Sequence, residues 1–206
     1  MEDIRLILVD PNPAWCTAFQ KHFEGLPRVE IVTGCFEGLP EFDCMVSATN
    51  SFGLMDGGVG GAVAQFFGRT MMELVQQRIL NEFLGEQPVG TALIVETGNP
   101  RHPFIAHTPT MRAPMATSQT DNVYLAMWAM LLAVRKHNQN AKRQIHIIAC
   151  PGLGNRSGQS PCPEAARQMS LAYRNFLHPP SYIVGICVEP TSGNSAWRRY
   201  GFGDST

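Results

Sequence analysis

Two glycine-rich stretches carry the residues with the clearest chemical meaning. In "ATNSFGLMDGGVGGAV", residues 48–63, Gly53, Gly57, Gly58, Gly60 and Gly61 lie between a β-rich run and a helical pattern. "CPGLGNRSGQSPCPEAA", residues 150–166, repeats the order of strand, glycine loop and helix. Glycine lets backbone N–H groups approach an anion closely and converge on it, and the positive end of the following helix adds to the attraction. Two such loops at one sheet edge would hold the two phosphates of a single diphosphate. Loops of this kind also serve as plain tight turns, but a second copy, together with Asn50 at the first strand exit, favours the anion-binding reading. Neither stretch contains G-x-x-x-x-G-K-[ST] or the G-x-G-x-x-G spacing, which argues against ATP hydrolysis and hydride transfer.

The elements that must position these loops alternate along the chain. "IRLILV" (4–9), "VEIVTGC" (29–35), "CMVSAT" (44–49), "TALIVET" (91–97), "FIAHT" (104–108), "IHIIAC" (145–150) and "YIVGICV" (182–188) read as strands. Helical spacing covers 14–23, 62–84 with a break expected at Gly68, the apolar stretch that follows Asp121, and 163–177 opened by Pro163. This alternation predicts an α/β fold, a three-layer α/β/α sandwich with a mixed, largely parallel central sheet. No repeat, charge block or linker divides the chain, so residues 1–206 read as one domain with a loosely packed tail from about 190. In such sheets ligands bind beyond the carboxyl ends of the strands, where both glycine loops fall.

Composition narrows the function classes. Sixteen basic against seventeen acidic residues in 206 give a net charge of -1, which argues against nucleic acid held by a broad basic patch. Gly and Pro, 19 and 15 residues, outnumber expectation while charged residues make up only 16%, so polarity is carried by loops and backbone. No apolar run is long enough to span a membrane and the first residues lack the basic start of a signal peptide, so the expected location is cytoplasmic, with no membrane partner. Cys16, Cys35, Cys44, Cys150, Cys162 and Cys187 include no C-x-x-C pair and no zinc spacing and read as buried reduced thiols. The six histidines form no ligand set, so neither metal nor cofactor is expected.

"FDCMVSATNSFGLMDGGVGGAVAQFFG" (42–68) resembles the signature of macro domains, in which a strand ends in Asn-x-x-Asn before a glycine loop and helix. "PVGTALIVETGNPRHPFIAHTPTM" (88–111) and "IIACPGLGNRSGQSP" (147–161) resemble the family's following strands and its second phosphate loop. The wording "NSFGLMDGG" and "PTMRAP" is closest to a bacterial and phage branch of that family. The resemblance implies a site for ADP-ribose or a related nucleotide diphosphate ribose, free or attached to protein. Its residues would be Ser47 and Asn50 at the strand exit, then Asp56, Gly57, Gly58, Val59 and Gly60 in the first loop. The second loop would add Gly152, Leu153, Gly154, Asn155, Arg156, Ser157 and Gly158. Asn50 would meet the distal ribose, its amide supplying a donor and an acceptor to vicinal hydroxyls without adding charge.

The chain departs from the family pattern at several positions. Ser47 replaces the first Asn, Cys35 stands where an acidic residue usually recognises adenine, and Gly60 stands where hydrolytic members carry an Asp. Asp56 is the nearest substitute carboxylate, with a turn role in Asp-Gly-Gly as the alternative, so Asn50 and Asp56 are the catalytic candidates. Arg156 would either pair with a phosphate or fill the site. His107 reads as hydrogen-bonded support rather than a general base, and Phe52 and Met55 as walls of the pocket. Trp197, Tyr200 and Phe202 would stack on a base or pin the tail. Three functions follow: a binding module for ADP-ribose, an ADP-ribosyl hydrolase acting on modified protein, and a phage-related structural or accessory protein with a degenerate pocket.

Overall fold

Six strands form one sheet in the order β2-β1-β6-β3-β5-β4. In the computed structural model, which describes residues 4–115, 119–154 and 160–181, these are β1 (Arg5–Asp10), β2 (Val29–Thr33), β3 (Cys44–Ser47), β4 (Leu93–Glu96), β5 (Phe104–His107) and β6 (Ile147–Cys150). Neighbours run parallel except β4, which is antiparallel to β5, so the sheet is mixed and mainly parallel as the alternating pattern predicts. The expected strand at 182–188 lies outside the described residues, as does the tail with Trp197, Tyr200 and Phe202.

The strands are nearly continuous apolar runs because helices cover both faces. On one face α1 (Pro13–His22), α4 (Asn122–Asn140) and α5 (Cys162–Leu177) bury Trp15, Phe19, Met127, Met130, Met169 and Tyr173 against Leu6, Leu8, Cys44, Val46 and Ile148. On the other, α2 (Gly58–Phe67) and α3 (Thr70–Phe83) bury Val63, Met71, Val75 and Ile79 against Ile7, Val9, Met45, Ile105 and Ala149. The long helical pattern at 62–84 does break at Gly68, whose φ of +100° is open to glycine and costly for other residues.

One boundary matters for the site. The helical spacing starts at residue 62, but α2 begins at Gly58, so Gly58, Gly60 and Gly61 form its first turn and not a loop. Low glycine propensity hides this start in the sequence. Packing supplies it: a Cβ on Gly60 would lie 2.7 Å from Thr49 Cγ2 and 3.3 Å from Met55 Cα, so only glycine lets the turn settle on the end of β3. Among the described residues no helix is long and apolar enough to cross a membrane.

Candidate functional site

The carboxyl ends of the parallel strands bring the first glycine stretch, Asn50, His107 and the start of the second glycine stretch to one edge of the sheet. Ser47 ends β3 fully buried, and its hydroxyl has no hydrogen-bond partner among the described residues. Asn50 follows three residues on, 7% exposed, with its backbone bridged to Met111. Its side-chain Oδ1 accepts from the N–H of Phe52 at 3.0 Å and of Leu54 at 3.3 Å, folding the loop around it. The acceptor half of the amide is thus engaged by the backbone, and the Nδ2 donors take no part in these two bonds.

Asp56 and Gly57 are exposed, and α2 starts from Gly57 without a side-chain cap and without an acidic residue in its first turn. The first N–H groups of a helix have no partner within it, and here no side chain takes their place. Gly58 and half-buried Val59 lie at this open end, whereas Gly60 is buried. The arrangement is a ready seat for an anion: converging donors, the positive end of a ten-residue helix, and no competing carboxylate on the helix itself. Position 60 offers no room for an acidic side chain, because Thr49 and Met55 already occupy the space of a Cβ.

The second stretch has a different character over its described part. Gly152, Leu153 and Gly154 are buried, and Leu153 belongs to the core. A Cβ on Gly152 would meet the Trp15 ring at 2.4 Å, and one on Gly154, whose φ is +77°, would meet Val123 Cγ2 at 2.8 Å. The Gly152 N–H is given to Asp10 Oδ2 at 3.3 Å, and Ser160 N–H closes the loop onto the Gly154 carbonyl at 3.3 Å. Asn155, Arg156, Ser157 and Gly158 lie outside the described residues.

Asp10 is not among the candidate residues that the sequence singles out. It is 2% exposed at the exit of β1, accepts from Asn12 N–H at 2.9 Å as well as from Gly152, and its pKa is raised by burial against the lowering effect of those two bonds. Gly34 N–H donates to the Asp10 carbonyl, so this carboxylate lies next to the turn that holds Cys35. Cys35 itself is exposed, against the expectation of a buried thiol, because it lies in a turn outside the sheet, whereas Cys44 and Cys150 are buried in strands and burial raises their pKa.

His107 is fully buried at the end of β5. Its Nδ1 contacts Gln87 Oε1 at 2.7 Å and its Nε2 contacts the Thr49 hydroxyl at 2.8 Å. Burial brings its pKa from 6.5 down to about 4, so the ring is neutral at physiological pH and a poor proton store. Met55 turns into the core, whereas half-buried Phe52 carries the Arg112 guanidinium 5.5 Å above its ring. Arg112 is held there by a bidentate pair with Glu86 at 2.7 and 2.9 Å. No group of three or more His, Cys, Asp or Glu among the described residues is arranged to hold a metal.

The Macro domain family model matches residues 46–169, from the end of β3 into α5. An uncharacterised protein of Aquifex aeolicus is 30% identical over 149 residues, covering 72% of this chain and 82% of the relative. Among solved structures, a point mutant of the Oceanobacillus iheyensis macrodomain with ADPR superposes with a TM-score of 0.60 at 21% identity, covering 86% of this chain and 80% of that one. The Trypanosoma brucei macrodomain in complex with ADP-ribose gives a TM-score of 0.53 at 17% identity, over 66% of this chain and 52% of that one.

Proposed function

The chain belongs to the macro domain family, and from that premise we propose that it captures ADP-ribose, free or attached to protein, at the carboxyl edge of its sheet. The observation that carries the reading is the uncapped glycine N-terminus of α2, eight residues beyond an Asn50 whose amide donors are left over from local bonding. The diphosphate lies against the N–H groups of Gly58, Val59 and Gly60, Asn50 meets the distal ribose, and Asn155, Arg156, Ser157 and Gly158 are the second-loop residues that the family resemblance assigns to the phosphates. Similar folds solved with ADPR and with ADP-ribose support the ligand class. The near-neutral chain needs no lysine cluster for this, because backbone donors neutralise the diphosphate.

Capture without turnover is a better reading than hydrolysis of ADP-ribosylated protein. A hydrolase needs a carboxylate or another base to activate water. Position 60 is closed to an acid, no partner among the described residues aims exposed Asp56, and His107 is buried and neutral. The single-domain organisation over 1–206 and a cytoplasmic location belong to the same proposal. Titration calorimetry with ADP-ribose tests it: wild type gives saturable heat, and Asn50→Ala weakens binding at least about tenfold, the worth of one to two ligand hydrogen bonds. Absence of heat at millimolar ligand, with Asn50→Ala indistinguishable from wild type, would sink the reading. Release of free ADP-ribose from a modified protein, lost in Asp56→Asn, would replace it with hydrolysis.

A further inference from the structure

Three neighbouring side chains commit their hydrogen bonds in one direction. Gln87 is fully buried, and its Nε2 donates to the His107 carbonyl at 3.4 Å, which leaves Oε1 facing the imidazole. An amide oxygen only accepts, so His107 Nδ1 carries the proton of that 2.7 Å bond. Nε2 of the same neutral ring then has only a lone pair, and the Thr49 hydroxyl, 2.8 Å away, donates to it. On its other side Thr49 turns Cγ2 toward the glycine turn, where a Cβ on Gly60 would lie 2.7 Å from it. Half-buried Thr49 therefore has its proton spent inward and keeps lone pairs alone for any outside partner.

Asn50, the next residue, is its opposite. Its Oδ1 is spent on two backbone N–H groups, and its Nδ2 hydrogens remain. We propose that Thr49 and Asn50 form an acceptor–donor pair that selects ligands by their terminal ribose, with Gln87 and His107 as positioning residues that hold the Thr49 hydroxyl in its accepting state. The inference rests on the ADP-ribose reading above and adds the residue that discriminates among nucleotide diphosphates. One hydroxyl of a vicinal diol donates to Thr49 while its neighbour accepts from Asn50. ADP has the same adenosine and diphosphate but no terminal ribose, so it gains nothing from the pair.

The test is calorimetric titration of full-length wild type, Thr49→Val, Thr49→Ser and Gln87→Leu with ADP-ribose and with ADP. Thr49→Val is expected to lose about tenfold in ADP-ribose affinity, the worth of one hydrogen bond, while its ADP affinity stays within about twofold. Thr49→Ser restores the preference for ADP-ribose. Gln87→Leu lowers that preference by about threefold without changing ADP binding, a pattern that mere loosening of the fold would not produce, and it carries the comparison alone if Thr49→Val fails to fold. Equal weakening of both ligands, or no effect on either, overturns the pairing while leaving ADP-ribose binding intact. Wild type that binds neither ligand removes the functional reading itself, and the inference with it.

Discussion

The two glycine stretches look alike as sequence and differ in what their glycines do. At the first, exposed Gly57 has no neighbour within 4 Å of a Cβ position, and the helix end it introduces is open. At the second, Gly152 is in contact with the face of Trp15, Gly154 is pressed on Val123, and the Gly152 N–H is already given to Asp10. Glycine leaves the backbone open at Gly57 and serves close packing at Gly152 and Gly154, as it does at Gly60 further along the first stretch. The lesson is that a glycine loop after a strand signals a short approach of backbone to something, and that the something can be a ligand or an indole ring.

Substitution breaks this comparison most sharply at Gly152. Gly152→Ala forces a methyl into the Trp15 ring, and urea denaturation is expected to show a loss of about 3 kcal/mol. A stability within about 1 kcal/mol of wild type would mean that the loop moves freely off α1. Acid separates the stretches next, through the buried group under each. His107 lies under the first with its pKa lowered to about 4, so the unfolded chain binds a proton between pH 6.5 and 4 that the folded one refuses. Stability present above pH 6.5 is lost as pH falls, by about 2 kcal/mol at pH 5 for a group with this shift, and His107→Gln should flatten that slope. Asp10 under the second works the other way: a raised folded pKa means the folded state takes up the proton more readily, so acid relieves this site.

Gly154→Ala comes third, because the φ of +77° resists any side chain but the obstructing Val123 methyl can move, and about 1.5 kcal/mol is expected in the same denaturation experiment. Gly57→Ala closes the series with a change within about 0.5 kcal/mol, since its backbone is extended and the space around it is open. A loss at Gly57 as large as that at Gly152 would erase the distinction between the two stretches.

Much of the architecture was legible because parallel strands buried on both faces read as unbroken apolar runs, as in "IRLILV" and "IHIIAC". The break at Gly68 and the capture of Pro163 in the first turn of α5 were legible from local chemistry. The start of α2 was not, since three glycines in its first turn weigh against a helix until the end of β3 is packed beneath them. Nor were the polar pairings at the site: Gly152 and Asp10 are 142 residues apart, Thr49 and His107 are 58 apart, and Gln87 and His107 are 20 apart. Such contacts are set by strand order, which no local pattern encodes. His107 illustrates the difference, because a lone imidazole at a strand end carries no sign in the sequence of the amide and hydroxyl that flank it.

The most direct test of the account is a crystal structure of the protein with ADP-ribose. The diphosphate is expected against the N–H groups of Gly58, Val59 and Gly60, with the distal ribose within hydrogen-bond distance of Asn50 Nδ2. Ligand bound at the opposite edge of the sheet, beside Arg5 and His146, or a first turn of α2 left bare at saturating ADP-ribose, would contradict it.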